Sequence, residues 1–330
     1  MDYNLIREIM KKKYKRAMVT GGAGFIGSHI VDELLQIGLE VISVDNYVAG
    51  KEENLAHHKG NPSFEAVNCD ITDYDMLKKH FTAVDVVFNE AASKKNVCIK
   101  DPRMDLKVNG VGTFNVLELA RDFGVKKVVH ASTGSVYGEA KVLPQAEDHP
   151  LEPVSYYGVS KLAGERYARV FSHLYGLDTT TLRYFHVYGP RQESGFYGGV
   201  VAIFCRNILE GSRPIIYGDG TQQRSFTYVK DVVRANMLVA ANESTKGEVY
   251  NCASGINITV SELCRRLLKV FDKDKKLTPK HEDWLVGDIK TFSISNKKLL
   301  NLGFSFDTIF DKGLLDTAAY FKEMFGGLAE

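Results

Sequence analysis

The chain has 330 residues, 44% of them apolar and 25% charged, with 42 basic side chains against 41 acidic ones. That length can bury a core large enough for two lobes, and the balanced charge excludes a nucleic-acid or acidic-membrane footprint. The five cysteines (Cys69, Cys98, Cys205, Cys252, Cys264) have no CxxC spacing and no apolar run reaches the ~18 residues of a membrane span, so neither metal nor disulfide is expected and the cytoplasm is the expected compartment.

The first 15 residues carry Leu5, Ile6 and Ile9 beside a basic cluster of Arg7, Lys11, Lys12, Lys13, Lys15 and Arg16. They read as a solvated helical extension rather than a binding arm. An apolar strand through Ala17-Met18-Val19 then runs into Gly21, Gly24 and Gly27. Phe25, Ile26, Ile30, Leu34 and Leu35 follow at helical spacing. Glycines at a strand-to-helix turn allow a tight bend and close approach of a phosphate to the helix N-terminus. A second strand, Glu40–Val44, ends in Asp45, at about the ~20-residue spacing of a carboxylate that grips an adenosine ribose. The pattern points to a dinucleotide site.

Further strands are expected at 64–67, 85–88, 127–131 and 178–184. Helices are expected after Asp73, around Phe114–Ala120, and over 160–175. This alternation predicts an α/β fold, a doubly wound parallel sheet of Rossmann type, with ligands at the carboxyl ends of its strands. Beyond Tyr184 the rhythm loosens. A helix over 201–210, a strand over 214–217, a segment 226–229, a helix over 230–242, a strand over 249–252 and a helix over 260–271 make a smaller α/β C-terminal lobe. The expected division is residues 1–182 for the cofactor domain (1–15 being the extension) and 183–330 for the substrate lobe, with some segments returning to the first domain.

Tyr157 and Lys161 stand four apart on one helix face, and Thr133 follows a strand at its carboxyl end. An alcohol losing hydride must also lose a proton. A tyrosine, with an ordinary pKa near ~10, needs a nearby ammonium and a cationic nicotinamide to serve as that base. Lys161 also suits the nicotinamide ribose, and Thr133 can orient the sugar oxygen.

Taken together, Thr20–Gly27, Asp70-Ile-Thr-Asp73, Ala91-Ala92, Asn109, Val136-Tyr-Gly138, Tyr157–Lys161, Leu182–Arg191, Gly218–Gln222 and Arg224–Val229 resemble the extended short-chain dehydrogenase/reductases that act on nucleotide sugars. The resemblance runs from Ala17 to about Phe304. It implies that Asp45 and Asn46 hold the adenosine ribose, that Asp70 and Ile71 flank adenine, that Ala91, Lys94 and Asn109 line the cofactor, and that Tyr184 sits near the nicotinamide. With no arginine directly after Asp45, the cofactor is expected to be NAD. Arg224 matches a diphosphate-binding arginine, and Ser135, Lys95, His186, Val200 and Tyr217 are the other candidate substrate contacts. A homodimer built on two helices per subunit is implied as well.

Departures from the family pattern refine the expectation. Its 4,6-dehydratases carry an Asp-Glu pair after the catalytic threonine, where this chain has Gly134-Ser135. That points to 4-epimerisation of a UDP-hexose or UDP-N-acetylhexosamine. His186 replaces an asparagine, Asn89-Glu90 replaces His-Leu, and the late Arg-Pro-Gly-Asp is Leu285-Val-Gly-Asp288, with Lys290 a substitute cation. The rival enzyme reading is a relative that uses C4 oxidation to modify C5 or C6 of an amino sugar. The rival outside catalysis is a redox-sensing or scaffold protein that keeps only the cofactor fold.

Overall fold

The computed structural model describes residues 2–93, 95–195, 198–284 and 293–325, with residues 95–97 given by backbone alone. Seven strands form one parallel sheet. They are β1 (Arg16–Thr20), β2 (Glu40–Asp45), β3 (Phe64–Asn68), β4 (Val86–Asn89), β5 (Lys127–Thr133), β6 (Thr179–Tyr184) and a last strand, Glu248–Cys252. Their spatial order is last strand, β6, β5, β4, β1, β2, β3. Met18 lies opposite Ile42 on one side and Val87 on the other. Ala17, Met18, Val19 and Thr20 are all fully buried, as a parallel sheet covered on both faces requires.

The covering helices include α1 (Tyr3–Lys13), α2 (Phe25–Gln36), α3 (Tyr74–Lys78), α4 (Lys95–Lys100), α5 (Pro102–Leu106), α6 (Thr113–Asp122) and α7 (Tyr156–Tyr175). On one face, Ile30 and Leu34 of α2 pack with Val232 and Met237 of the helix Val229–Ala241. On the other, Val116 and Leu117 of α6 meet Ala168 and Phe171 of α7. A separate cluster, with Phe204, Ile208, Leu263, Leu267, Leu314 and Phe321, forms the core of the C-terminal lobe. No helix among the described residues is long and apolar enough to cross a membrane.

The chain order reverses between β1 and β4, so their carboxyl ends leave a crevice for a ligand. The last strand pairs with β6 in parallel, carrying residues 248–252 back to the sheet edge.

Two sequence expectations need correction. The N-terminal segment is not a solvated extension. Ile6, Met10 and Tyr14 recur every four residues and are 3%, 0% and 1% exposed. The Tyr14 hydroxyl donates to the Ala240 carbonyl at 2.8 Å, and Arg7 makes a paired contact with Glu33 of α2. Of Leu5, Ile6 and Ile9, which mark the segment in the sequence, only Ile6 is in the buried stripe, which continues through Met10 and Tyr14. Each such side chain contributes roughly 1.5–3 kcal/mol. Helix α7 begins at Tyr156 rather than 160, because Ser155 caps it by accepting the Gly158 N–H at 3.1 Å. The segment 226–229 is divided between elements. Short strands at Gln223–Ser225 and Thr227–Tyr228 flank Phe226, and a helix starts at Val229.

Candidate active site

The glycine turn after β1 is shaped by close contact. A Cβ at Gly27 would lie 2.2 Å from the Gly21 carbonyl oxygen, so no other residue fits while the helix packs this near the turn. Gly21 itself has φ of +65° and donates its N–H to the Val44 carbonyl at 2.7 Å. Gly24 caps α2 without any side-chain bond, which leaves the first-turn N–H groups of Phe25 and Ile26 directed at the cavity outside. At the end of β2, Asp45 accepts the Ala23 N–H at 3.0 Å and the Tyr47 N–H at 2.8 Å. Burial raises its carboxyl above the ordinary range. Asn46 donates to Asp70 at 2.9 Å, tying the ends of β2 and β3 together.

A cavity of about 660 Å³ opens at these strand ends. Gly21, Gly24, Phe25 and Ile26 line one wall, with Asp45, Asn46, Asp70 and Ile71 beyond them. Ala91, packed against Gly21, lines it too, as do Tyr157, Lys161 and Tyr184. Free helical N–H groups for a diphosphate, a carboxylate for a ribose and apolar Ile71 for a base make this cavity fit a dinucleotide.

Thr133 is the last residue of β5, inside the strand rather than after it. Its hydroxyl accepts the Ser135 N–H at 3.2 Å, stands 3.4 Å from the Ser135 hydroxyl and hydrogen-bonds Tyr157. Lys161 is 2% exposed. Burial pulls its ammonium down to about 8, with the carboxylates of Glu90, Asp105 and Glu165 opposing. The lowering of Tyr157 expected from Lys161 together with a cationic nicotinamide concerns the loaded site, and the protein alone shows the opposing push. Burial pushes it up to about 12; the Thr133 hydroxyl works against that, and the charges of Asp105 and Glu90 add to it.

Asn109 does not line the cavity. It is fully buried behind the wall, accepting the Ser93 N–H at 2.9 Å and donating to Asp105 at 3.1 Å and Ser160 at 3.0 Å. It positions α7 and the loop after β4, so its part is indirect. A second support went unread in the sequence. Glu165, one turn beyond Lys161, binds Arg183 of β6 at 2.5 and 3.0 Å and accepts the Ser132 hydroxyl at 3.1 Å. Its spacing along the Tyr157–Lys161 face is the signal that could have found it. The loop after Gly189 also contributes Arg191 and Gln192 to the cavity. Arg191 is held there by Asp32 of α2 at 2.8 Å, and the other oxygen of Asp32 lies 2.8 and 2.7 Å from ring nitrogens of His57 and His58.

A Cβ at Gly134 would sit 2.3 Å from the Phe185 ring, and Phe185 stacks on Tyr137. The space a dehydratase carboxylate would need is therefore filled by an aromatic side chain. The other candidate substrate contacts lie in or near the C-terminal lobe. His186 has φ of +36° and its ring meets Phe226 edge-on at 6.0 Å. Val200 opens the helix Val200–Leu209, Tyr217 ends the strand Ile215–Tyr217, and Arg224 is 7% exposed. None of these four lines the 660 Å³ cavity. Lys94, Leu285–Asp288 and Lys290 lie outside the described residues, and Lys95 is given by backbone alone.

The family model of the NAD dependent epimerase/dehydratase family matches residues 17–253. A putative UDP-glucose 4-epimerase of Methanocaldococcus jannaschii is 44% identical over 250 residues, 74% of this chain and 79% of that protein. The UDP-glucose 4-epimerase of Thermotoga maritima, solved with UDP-glucose, superposes with a TM-score of 0.88 at 38% identity, covering 94% of this chain and 99% of that one. An epimerase of Methanothermobacter thermautotrophicus superposes with a TM-score of 0.93 at 30% identity over 99% of this chain and 98% of its own. This chain belongs to the NAD-dependent epimerase/dehydratase family, an enzyme whose cofactor is NAD.

Proposed function

We propose that the protein is a nucleotide-sugar 4-epimerase acting on a UDP-hexose or UDP-N-acetylhexosamine. The observation that carries this reading is the pairing of Tyr157 and Lys161 at the cavity, with Thr133 hydrogen-bonded to Tyr157, and a Gly134 position closed by Phe185. When bound, NAD supplies reversible hydride acceptance. Tyr157 takes the proton of the sugar C4 hydroxyl and gives it back. Thr133 orients that hydroxyl and holds Tyr157. Lys161 binds the nicotinamide ribose and favours the phenolate by its charge. Elimination across C5 and C6 would need an added acid and base, and Gly134-Ser135 provides no carboxylate. Arg224 is the guanidinium we assign to the substrate diphosphate. Uridine as the base is supported by the UDP-sugar epimerases among the similar proteins.

Incubation with UDP-glucose and with UDP-N-acetylglucosamine, followed by NMR, tests the reading. A mixture of C4 epimers is expected. A 6-deoxy product, or turnover only of a 5,6-unsaturated sugar, would assign the chain to C5/C6 chemistry instead.

We also propose that the protein is a homodimer. Helix α7 leaves Val159, Val170 and Leu174 at 54%, 46% and 63% exposure along one face, an apolar stripe that a second copy would cover. Sedimentation equilibrium should give a dimer, and Leu174→Glu should shift it toward monomer. A native chain that sediments as a monomer removes this proposal.

A further inference from the structure

Glu90 stands directly after β4, and its carboxylate opens into the end of the cavity that Tyr157, Lys161 and Tyr184 also line. Its backbone is fixed by an N–H bond to the Thr20 carbonyl at 3.1 Å. One carboxylate oxygen accepts the Tyr184 hydroxyl at 2.8 Å. That hydroxyl in turn accepts from Asn236 at 2.8 Å, and Asn236 is anchored on the Val232 carbonyl at 2.8 Å. The side chain is therefore held from three elements: β4, β6 and the helix Val229–Ala241.

The charged and titratable groups around it are few. Lys161 and Tyr157 face it from α7, Tyr184 from β6 and the Cys252 thiol from the last strand. Lys161 already has Asp105 and Glu165 within electrostatic reach, so Glu90 is not needed simply to hold a cation there. Burial brings the Glu90 carboxyl up to about 7, with the Tyr184 bond and Lys161 working the other way. The pattern this chain resembles has leucine here, so an apolar side chain satisfies the packing. A carboxylate at this place calls for a different account.

Hydride transfer supplies one. An oxidised nicotinamide ring carries a positive charge, and the reduced ring carries none. A fixed anion at the end of the cavity where Tyr157 and Lys161 act lowers the energy of the oxidised form alone. We infer that Glu90 sets the preference of the site for oxidised over reduced NAD, holding the resting enzyme in the form that can accept a hydride and driving the reduced form to return it. The inference rests on the cofactor reading and is independent of which sugar is bound.

The test is a competition without sugar. Purified enzyme is equilibrated with an equimolar mixture of NAD⁺ and NADH, the protein-bound fraction is recovered and quenched, and the two forms are assayed. In Glu90→Gln the bound NAD⁺:NADH ratio should fall by about tenfold, the scale of losing one opposite charge at short range. The glutamine keeps an acceptor for Tyr184, so a merely structural role would leave the ratio unmoved. In the native enzyme the ratio should rise with pH as Glu90 ionises, since the carboxyl is neutral below its pKa and charged above it. In Glu90→Gln the part of this rise around neutral pH should be lost, leaving only the rise at higher pH that Lys161 and Tyr157 contribute. Tyr184→Phe keeps the carboxyl and removes the bond; compared at a pH above the range in which Glu90 ionises, it should leave the ratio near native. An unchanged ratio in Glu90→Gln, or an equal fall in Tyr184→Phe at that pH, overturns the inference. If Glu90→Gln does not fold, a pH-independent ratio in the native enzyme overturns it as well. Failure of the epimerase reading would show separately, as absent turnover of UDP-sugars.

Discussion

Replacing Tyr157 with phenylalanine should lower turnover by roughly 10³-fold while the purified protein still carries NAD, because the change removes one proton-transferring oxygen and leaves Lys161, Asp45 and the glycine turn at the cofactor. The size of the loss follows from the environment. In the protein alone the phenol is pushed up to about 12 by burial, with only a fractional phenolate population at neutral pH. The positive charges of Lys161 and of the oxidised ring must bring it down when the cofactor is bound. The acid limb of the pH–rate profile reports that lowered value. Rate therefore rises with pH as the phenolate forms, and Lys161→Met should move the limb to higher pH. A scaffold that has lost catalysis would keep its function in Tyr157→Phe, so a variant that behaves as native sinks the enzyme reading. The bound nucleotide should be NAD, since Asp45, directed by Ala23 and Tyr47, would repel a 2′-phosphate. Recovery of NADP would overturn the role given to Asp45.

The sheet and the cofactor cavity were legible because their signals are local. Gly21, Gly24 and Gly27 mark a turn by their spacing, and Asp45 marks the end of the next strand. Twelve of the residues expected at the cofactor line one cavity, from Gly21 to Tyr184. What escaped was set by contacts between distant segments. Asn109 belongs to the right motif but stands behind the wall, because Ser93, Asp105 and Ser160 take its hydrogen bonds. The Glu165–Arg183 pair joins α7 to β6, and each partner looks like a surface charge until the strands are placed. Tyr157 shows the limit most clearly. Its position could be read from Tyr-x-x-x-Lys, but its proton affinity depends on burial, which no spacing encodes. The N-terminal helix was misjudged for a related reason: its basic residues are conspicuous, while the stripe of Ile6, Met10 and Tyr14 has meaning only against the helix Val229–Ala241.

Gly134→Asp should destabilise the protein by about 2–5 kcal/mol, abolish epimerisation and yield no 6-deoxy sugar. Even the Cβ of the new side chain would lie 2.3 Å from the Phe185 ring, so the carboxylate cannot enter the position from which a dehydratase would use it. Relief requires Phe185 to move, and Phe185 is 2% exposed and stacked on Tyr137, whose hydroxyl is bound by Arg183 and bonds Asn251. The strain therefore passes into the pair that supports α7, and Tyr157 shifts with it. A carboxylate left among these rings without a partner adds its own desolvation cost. Truncating the ring separates the two contributions. Phe185→Ala alone should cost about 3–5 kcal/mol as a cavity. Combined with Gly134→Asp, it should cost less than the sum of the single changes, because the aspartate then has room. Urea titration of the four proteins measures that coupling. A Gly134→Asp enzyme with native stability and native epimerase rate would show that Phe185 does not close the position, and the absence of a carboxylate there would lose its value in separating epimerase from dehydratase.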